Sequence, residues 1–228
     1  MTLRPFVALA VLTGGLAAAQ PHSLAPDVLP AAAAAQFARS LEAASAHGRH
    51  VWRDTPPSNA DRTVNAYVEI SRGDRRKWEL DMASNTRAKD RTMPEHIGGY
   101  PVNYGFVPQT VSYDGDPFDA LVLGPPIEGG ETVRGIVVGL MYMEDEKGPD
   151  SKVVLSTVAA GRPAYELTKT EQLRIAEYFR RYKEHEPGAY SKVPGWGSAM
   201  DATALVTKTH AFFLHCRERS NGPCTLHR

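Results

Sequence analysis

Between Val64 and Val158 apolar residues recur with the period of strands, and after Thr168 they recur with the period of helices. Val64, Ala66, Val68 and Ile70 alternate with polar neighbours, which places one face of an extended segment against a core. Gly73-Asp74 then offers a turn and Lys77-Trp78-Glu79-Leu80 resumes, so the pattern predicts a hairpin between these two runs. Further strands are predicted from Asp119 to Leu123, Thr132 to Met143 and Lys152 to Val158, bounded by breaks such as Gly124-Pro125-Pro126 and Gly148-Pro149. Thr168 with Glu171 resembles a capping box, and Leu173, Ala176, Phe179 and Tyr182 follow at helical spacing until Pro187-Gly188. A second helix is expected from about Ser198 to Phe213, with Ala202, Leu205, Val206 and Phe212 on one side. Strands first and helices afterwards, with short connections, indicate an α+β domain built on a closed or strongly twisted sheet.

The chain of 228 residues is 42% hydrophobic and 23% charged, which permits one substantial core and excludes a disordered or collagen-like chain. Its 26 basic and 26 acidic side chains cancel, so bulk electrostatic binding of nucleic acid is excluded as its way of working. No internal repeat is visible.

Both ends carry their own signals. Arg4 precedes the apolar stretch Phe6 to Leu16 and the small residues Ala17, Ala18 and Ala19, the pattern of a secretory signal peptide cleaved near Ala19. The run falls short of the ~20 apolar residues that span a bilayer, so export to a periplasmic or secreted location, without stable membrane insertion, is expected. Residues 20–59 form an extension with one expected amphipathic helix in the Ala-rich stretch Ala31 to Ala46, where Phe37 and Leu41 share a face. The main domain is expected at 60–215 and a tail at 216–228. In an oxidising compartment Cys216 and Cys224, separated by a Gly222-Pro223 turn, are expected to pair. The alternative, a zinc site from His215, Cys216, Cys224 and His227, requires two adjacent residues as co-ligands.

The chemistry concentrates in Tyr113-Asp114-Gly115-Asp116-Pro117-Phe118-Asp119, where three acids fall within six positions at the entrance to an apolar strand. A turn through Gly115 and Pro117 can aim Asp114, Asp116 and Asp119 into one space, and crowded hard oxygen donors call for a divalent cation. A calcium-binding EF-hand loop starting at Asp114 would need Gly and Glu where Asp119 and Pro125 stand. A second acid-rich turn, Asp145-Glu146-Lys147-Gly148-Pro149-Asp150-Ser151-Lys152, also follows an apolar strand, so the two can line one cleft.

These turns, taken with YPVNYG at Tyr100 to Gly105, YVEI at Tyr67 to Ile70, KWELD at Lys77 to Asp81, Asp90-Arg91 and Tyr182-Lys183, resemble the soluble family I inorganic pyrophosphatases in content and order, from about Val64 to Phe213. The resemblance implies a small closed OB-like five-stranded barrel with flanking helices. It also implies Mg²⁺-dependent hydrolysis of inorganic diphosphate to two orthophosphates, and a homo-oligomer, hexamer or dimer. On it, Asp114, Asp119 and Asp150 hold the first tight metal, with Asp119 shared with a second. Asp145 and Asp150 hold a metal arriving with substrate, and Glu69 and Glu79 act through metal-bound waters. Lys77, Arg91, Tyr104, Lys152, Tyr182 and Lys183 match phosphate-contacting and site-ordering residues, Asp116 matches the general base, and Tyr100 lies at the edge of the site. These seven acids and four cations carry a formal charge of −3, so an anionic substrate needs cations to bind, and several Mg²⁺ ions per site suit that role. Mn²⁺ or Zn²⁺ are expected substitutes. A catalytically silent binding protein on the same fold would predict losses in this set, and an oligonucleotide-binding module would want a basic, aromatic groove.

Overall fold

The computed structural model describes residues 28–218 and 224. In chain order its elements are α1 (Ala31–Ser45), α2 (Val51–Asp54), β1 (Val64–Ile70), β2 (Arg76–Asp81), β3 (Thr86–Thr92), β4 (Asn103–Val107), β5 (Phe118–Leu123) and β6 (Thr132–Asp145). They continue with β7 (Gly148–Pro149), β8 (Lys152–Ala159), β9 (Arg162–Pro163), α3 (Lys169–Arg181), β10 (Ser191–Gly197) and α4 (Ala199–Arg217). Strands β6, β1, β4, β5 and β8 pair in that order, and β8 pairs back onto β6, which closes a five-stranded ring. The β5–β8 pair is parallel and the other pairs of the ring are antiparallel. The α+β class and OB-like barrel expected from the sequence are therefore present.

The predicted hairpin between β1 and the next strand is not. Strand β1 pairs with β4 and β6, while β2 pairs with β3 in a separate two-stranded sheet. The reason lies in the burial of β1: all seven of its residues are buried, including Asn65, Tyr67 and Glu69 on the face that the alternation assigned to solvent. A strand buried on both faces needs a neighbour on each edge. At the turn, Gly73 donates to the carbonyl of Tyr100 at 2.8 Å and leads the chain out of the barrel into β2. Gly105 of β4 is required by the β1–β4 pairing, since a Cβ there would lie 1.8 Å from the carbonyl oxygen of Tyr67.

Five strands escaped the periodicity reading, among them the two-residue β7 and β9. Strand β3 is mostly exposed and charged, β4 is short and carries Gly105, and β10 contains Pro194 and Gly195. Both helices that follow the strands begin where capping residues stand. Thr168 accepts from the Glu171 amide at 3.2 Å, but the Glu171 carboxylate turns to Arg174, so only half of the expected box forms. That helix ends at Arg181, ahead of Pro187-Gly188. Ser198 and Asp201 make the full reciprocal box at the start of α4.

Three apolar clusters hold these parts together. Helix α4 lays Ala202, Leu205 and Val206 against barrel residues such as Ala66, Leu140 and Leu155. Phe179 and Ile175 of α3 cover Ile70, Leu121, Met141 and Val154. The extension supplies a third cluster, in which Trp52, fully buried, meets Phe213 at 5.3 Å and Phe37 at 5.6 Å in edge-on geometry. Cys216 and Cys224 form a disulfide with Cα atoms 5.3 Å apart, which leaves no free thiol for the alternative zinc site. The expected signal peptide lies outside the described residues, and no described helix is long and apolar enough to cross a membrane.

Asn103, fully buried at the start of β4, spends its whole side chain on backbone. Its Oδ1 accepts from the Arg72 and Ile127 amides, and its Nδ2 donates to the carbonyls of Val122 and Pro125. Replacing it orphans the buried carbonyl of Val122 and removes the partner of part-buried backbone groups at Arg72, Pro125 and Ile127. Asn103→Ala is expected to cost about 3 kcal/mol or more in urea unfolding, and a loss under about 1 kcal/mol contradicts this role.

Candidate active site

A cleft of about 290 Å³ opens on the side of the barrel, between the β2–β3 sheet, the turn before β5, the turn after β6 and the end of α3. Of the fourteen residues singled out from the sequence, twelve line it: Glu69, Lys77, Glu79, Arg91, Tyr104, Asp114, Asp116, Asp119, Asp145, Asp150, Tyr182 and Lys183. Another, Lys152, lies beneath it, 1% exposed, and reaches up between Asp119 and Asp150.

The barrel explains how residues 114 positions apart meet. Pairing of β5 with β8 brings Asp119, Asp150 and Lys152 together at the same end of the sheet. Lys152 Nζ lies 2.5 Å from Asp119 and 3.0 Å from Asp150, with the ring of Tyr104 at 5.7 Å and that of Phe179 at 5.8 Å. Burial works against its charge, but the two carboxylates outweigh it and keep the ammonium protonated far up the pH scale. The turn before β5 is set by backbone: Ser112 donates to the carbonyl of Asp116 at 2.7 Å, and Asp116 donates to the Asp114 carboxylate at 3.1 Å. Gly115 supplies the left-handed conformation the turn needs, with φ at 93°.

Each cation of the cleft already has acidic company. Lys183 donates to Asp145 at 2.7 Å and to Glu146 at 2.8 and 3.0 Å. Lys77 lies 2.5 Å from Glu79 and 3.4 Å from Asp90. Arg91 bridges Asp90 at 2.7 Å and Glu186 at 2.5 Å. Glu69 accepts from the Leu80 amide at 2.6 Å and so ties the barrel to the β2–β3 sheet.

Acids nevertheless outnumber cations, nine to five when Lys152 is counted with the lining. Burial, followed by like charge from Asp119, Asp114 and Asp145, raises Asp150 to about 8 against the pull of Lys152. Burial raises Glu69 to about 8 despite its hydrogen bond from Leu80. Asp116 rises to about 7 through burial and the neighbouring Asp114, and Asp114 itself is raised, chiefly by burial. A set of hard oxygen donors that retains protons above neutrality for want of positive charge fits a divalent cation. Among the described residues no three acidic, His or Cys side chains are closed to ligating distance, as Asp119 and Asp150 are drawn to Lys152.

Tyr100 is not at the edge of this cleft. It is 1% exposed, packs behind Tyr104 at 5.5 Å and against Tyr178 at 5.1 Å, and borders a different groove with Arg174 and Arg181. Its ring is a core spacer that sets the position of Tyr104. Sequence reading also passed over several cleft residues. Glu146 and Lys147 sit inside the second acid-rich turn, where their motif was a sufficient signal. Glu186 and Gln36, which donates toward Asp116 at 3.4 Å, come from segments whose sequence carries no such signal.

With fold and cleft in hand, the kinship is clear. The family model described as inorganic pyrophosphatase matches residues 66–213. An inorganic pyrophosphatase of Sulfolobus acidocaldarius is 36% identical over 156 residues, which is 65% of this chain and 90% of that protein. One from Aquifex pyrophilus is 36% identical over 166 residues, 69% of this chain and 93% of that protein. The crystal structure of the Thermus thermophilus inorganic pyrophosphatase superposes with a TM-score of 0.67 at 32% identity, covering 73% of this chain and 99% of that one. The chain belongs to the inorganic pyrophosphatase family.

The raised carboxyls set a pH dependence. A carboxyl that keeps its proton to about pH 8 when folded, but releases it near its usual value when unfolded, makes the folded state the better proton binder. Its stabilising contribution is full at acid pH and declines as pH rises toward 8. In EDTA the unfolding free energy is therefore expected to fall by about 2 kcal/mol or more between pH 5 and pH 9, and saturating Mg²⁺ to remove most of that fall. A flat profile in EDTA contradicts the account.

Proposed function

We propose that this chain is an exported, Mg²⁺-dependent inorganic diphosphatase that transfers a phosphoryl group directly to water. The observation that carries the reading is the convergence of the motif residues on one cleft whose acids outnumber its cations. Such a cleft repels a bare polyanion and accepts one that arrives with divalent metal.

Asp114, Asp119, Asp145 and Asp150 would hold the Mg²⁺ ions, several to a site, with Glu69 and Glu79 acting through the waters around them. When bound, those ions would neutralise the acids, lower the pKa of an attacking water and offset the charge of the diphosphate. Asp116 takes the proton from that water, a role that suits a carboxylate at the mouth of the turn and free of a direct cationic partner. Arg91, Lys183 and the Tyr182 hydroxyl meet the charge that grows on the departing phosphate. Lys77 and Tyr104 hold the substrate, and Lys152 orders Asp119 and Asp150 from beneath before either meets metal. No covalent enzyme intermediate is needed. Mn²⁺ and Zn²⁺ suit the same oxygen donors. A silent binding protein is disfavoured because Asp116 and every ligand position retain the residue the chemistry needs.

Export rests on Arg4, the apolar run that follows it and the small residues to Ala19, and the disulfide suits an oxidising compartment. On this reading residues 1–19 are removed, 20–59 form an extension, 60–215 the catalytic domain and 216–228 the tail. The functional unit is a homo-oligomer, a dimer or hexamer, as the family resemblance implies. N-terminal sequencing of the protein from an extracytoplasmic fraction is expected to begin near Gln20, and an intact Met1 form confined to the cytosol contradicts export.

Asp116→Asn is expected to keep the fold and most metal binding but to lose at least about 100-fold in kcat. Near-normal turnover by that variant refutes the base assignment.

A further inference from the structure

Helix α1 lies outside the stretch that matches the family, yet it is built into the cleft. Its inner face, Ala33, Phe37, Ser40 and Ala44, is buried. Phe37 meets Trp52 at 5.6 Å and Phe213 at 5.8 Å, so the helix is anchored in the core formed with α2 and α4. Just ahead of it, Leu29 donates to the carbonyl of Cys224 at 3.1 Å, which ties the entrance of the helix to the disulfide-bonded tail.

The opposite contact of α1 is the turn that carries Asp114 and Asp116. A Cβ at Gly115 would lie 2.3 Å from the carbonyl oxygen of Ala33 and 2.8 Å from Cβ of Gln36, so the helix backbone touches the turn at its tightest residue. One side chain reaches further. Gln36 Oε1 accepts from Arg39 at 2.7 Å, which fixes the orientation of the amide and directs Nε2 toward Oδ1 of Asp116 at 3.4 Å. The contact is long for a hydrogen bond, but it is the neutral donor set against Asp116. The other groups that face this carboxylate are Asp114, Asp119 and Lys147, all of them charged.

We propose that α1 is a supporting element of the catalytic cleft and that Gln36 is a positioning residue for Asp116. By engaging Oδ1, Gln36 leaves Oδ2 to address the attacking water and restricts rotation of the carboxylate, while Ala33 limits movement of the turn at Gly115. The role rests on the reading of Asp116 as the proton acceptor. The helix lies outside residues 66–213, the stretch that the family model matches, so this means of holding Asp116 is not part of that match.

Gln36→Leu keeps a good helix former and removes the donor. It is expected to lower kcat about tenfold, with KM for diphosphate changed by less than about twofold and the thermal midpoint held within about 2 °C. Arg39→Ala, which frees the amide to turn, is expected to lower kcat in the same direction by about two- to threefold. Glu42→Gln, on the exposed side of the same helix, leaves kcat unchanged. The decisive comparison is a double-mutant cycle: in an Asp116→Asn background, Gln36→Leu should have no further effect, since its only route to the reaction has gone. A wild-type kcat for Gln36→Leu overturns the proposal, and so does an equal loss with and without Asp116. Near-normal turnover by Asp116→Asn alone also overturns it, through failure of the base reading. That case is told apart from a fault confined to Gln36, in which Asp116→Asn is inactive and Gln36→Leu is not impaired.

Discussion

Lys152 is the point at which barrel and cleft become one object. Its ammonium is almost entirely withdrawn from water, so it needs compensation within the protein, and Asp119 and Asp150 supply it from two different segments. Burial and like charge from Asp119 raise Asp150, and Lys152 pulls against both from between the two acids. The parallel pairing of β5 with β8 is what brings the three together, and that pairing exists because the ring closes through β6 and β8. Remove the lysine and the barrel keeps two carboxylates whose mutual repulsion has no internal answer.

The same imbalance runs through the whole cleft. Lys183, Lys77 and Arg91 each rest on at least one carboxylate, and still burial, joined by like charge from neighbouring acids, raises Glu69 and Asp150 to about 8 and Asp116 to about 7. That arrangement stores the means of recognising substrate. On the proposed reading, divalent ions would relieve the repulsion and leave the lysines and Arg91 to phosphate oxygens. Asp116, the proposed proton acceptor, stands on a turn held by Ser112 and Asp114 and touched from outside by α1.

Much of this was legible in the sequence because polar motifs at strand ends are short and local. The turn of Asp114 to Asp119 and that of Asp145 to Lys152 needed no tertiary knowledge to be recognised as oxygen-rich, and the helical spacing after Ser198 placed the start of α4. What failed were inferences about partners. The alternation of β1 suggested a hairpin, but Asn65 and Glu69 are polar residues buried for a purpose, one holding the backbone at Pro56 and the other reaching Leu80. Period alone cannot distinguish a polar residue facing water from one facing a site. Strand β3 was missed because its residues are exposed and charged, and β4 because its Gly105 is chosen for close backbone approach and not for strand propensity. Tyr100 was placed at the edge of the site, yet it stands behind it, buried against Tyr104 and Tyr178. Glu186 pairs with Arg91, 95 positions away, and Gln36 reaches toward Asp116 from 80 positions away, and only the fold reveals these contacts.

The central claim is that this charge-imbalanced cleft hydrolyses inorganic diphosphate when divalent cations correct its sign. Orthophosphate release from diphosphate by the purified chain lacking residues 1–19, assayed in Mg²⁺ and in EDTA with ATP as the comparison substrate, tests it most directly. Rapid release that requires Mg²⁺ and is confined to diphosphate is the predicted result. Absence of release from a folded, Mg²⁺-bound protein, or release undiminished in EDTA, would contradict it.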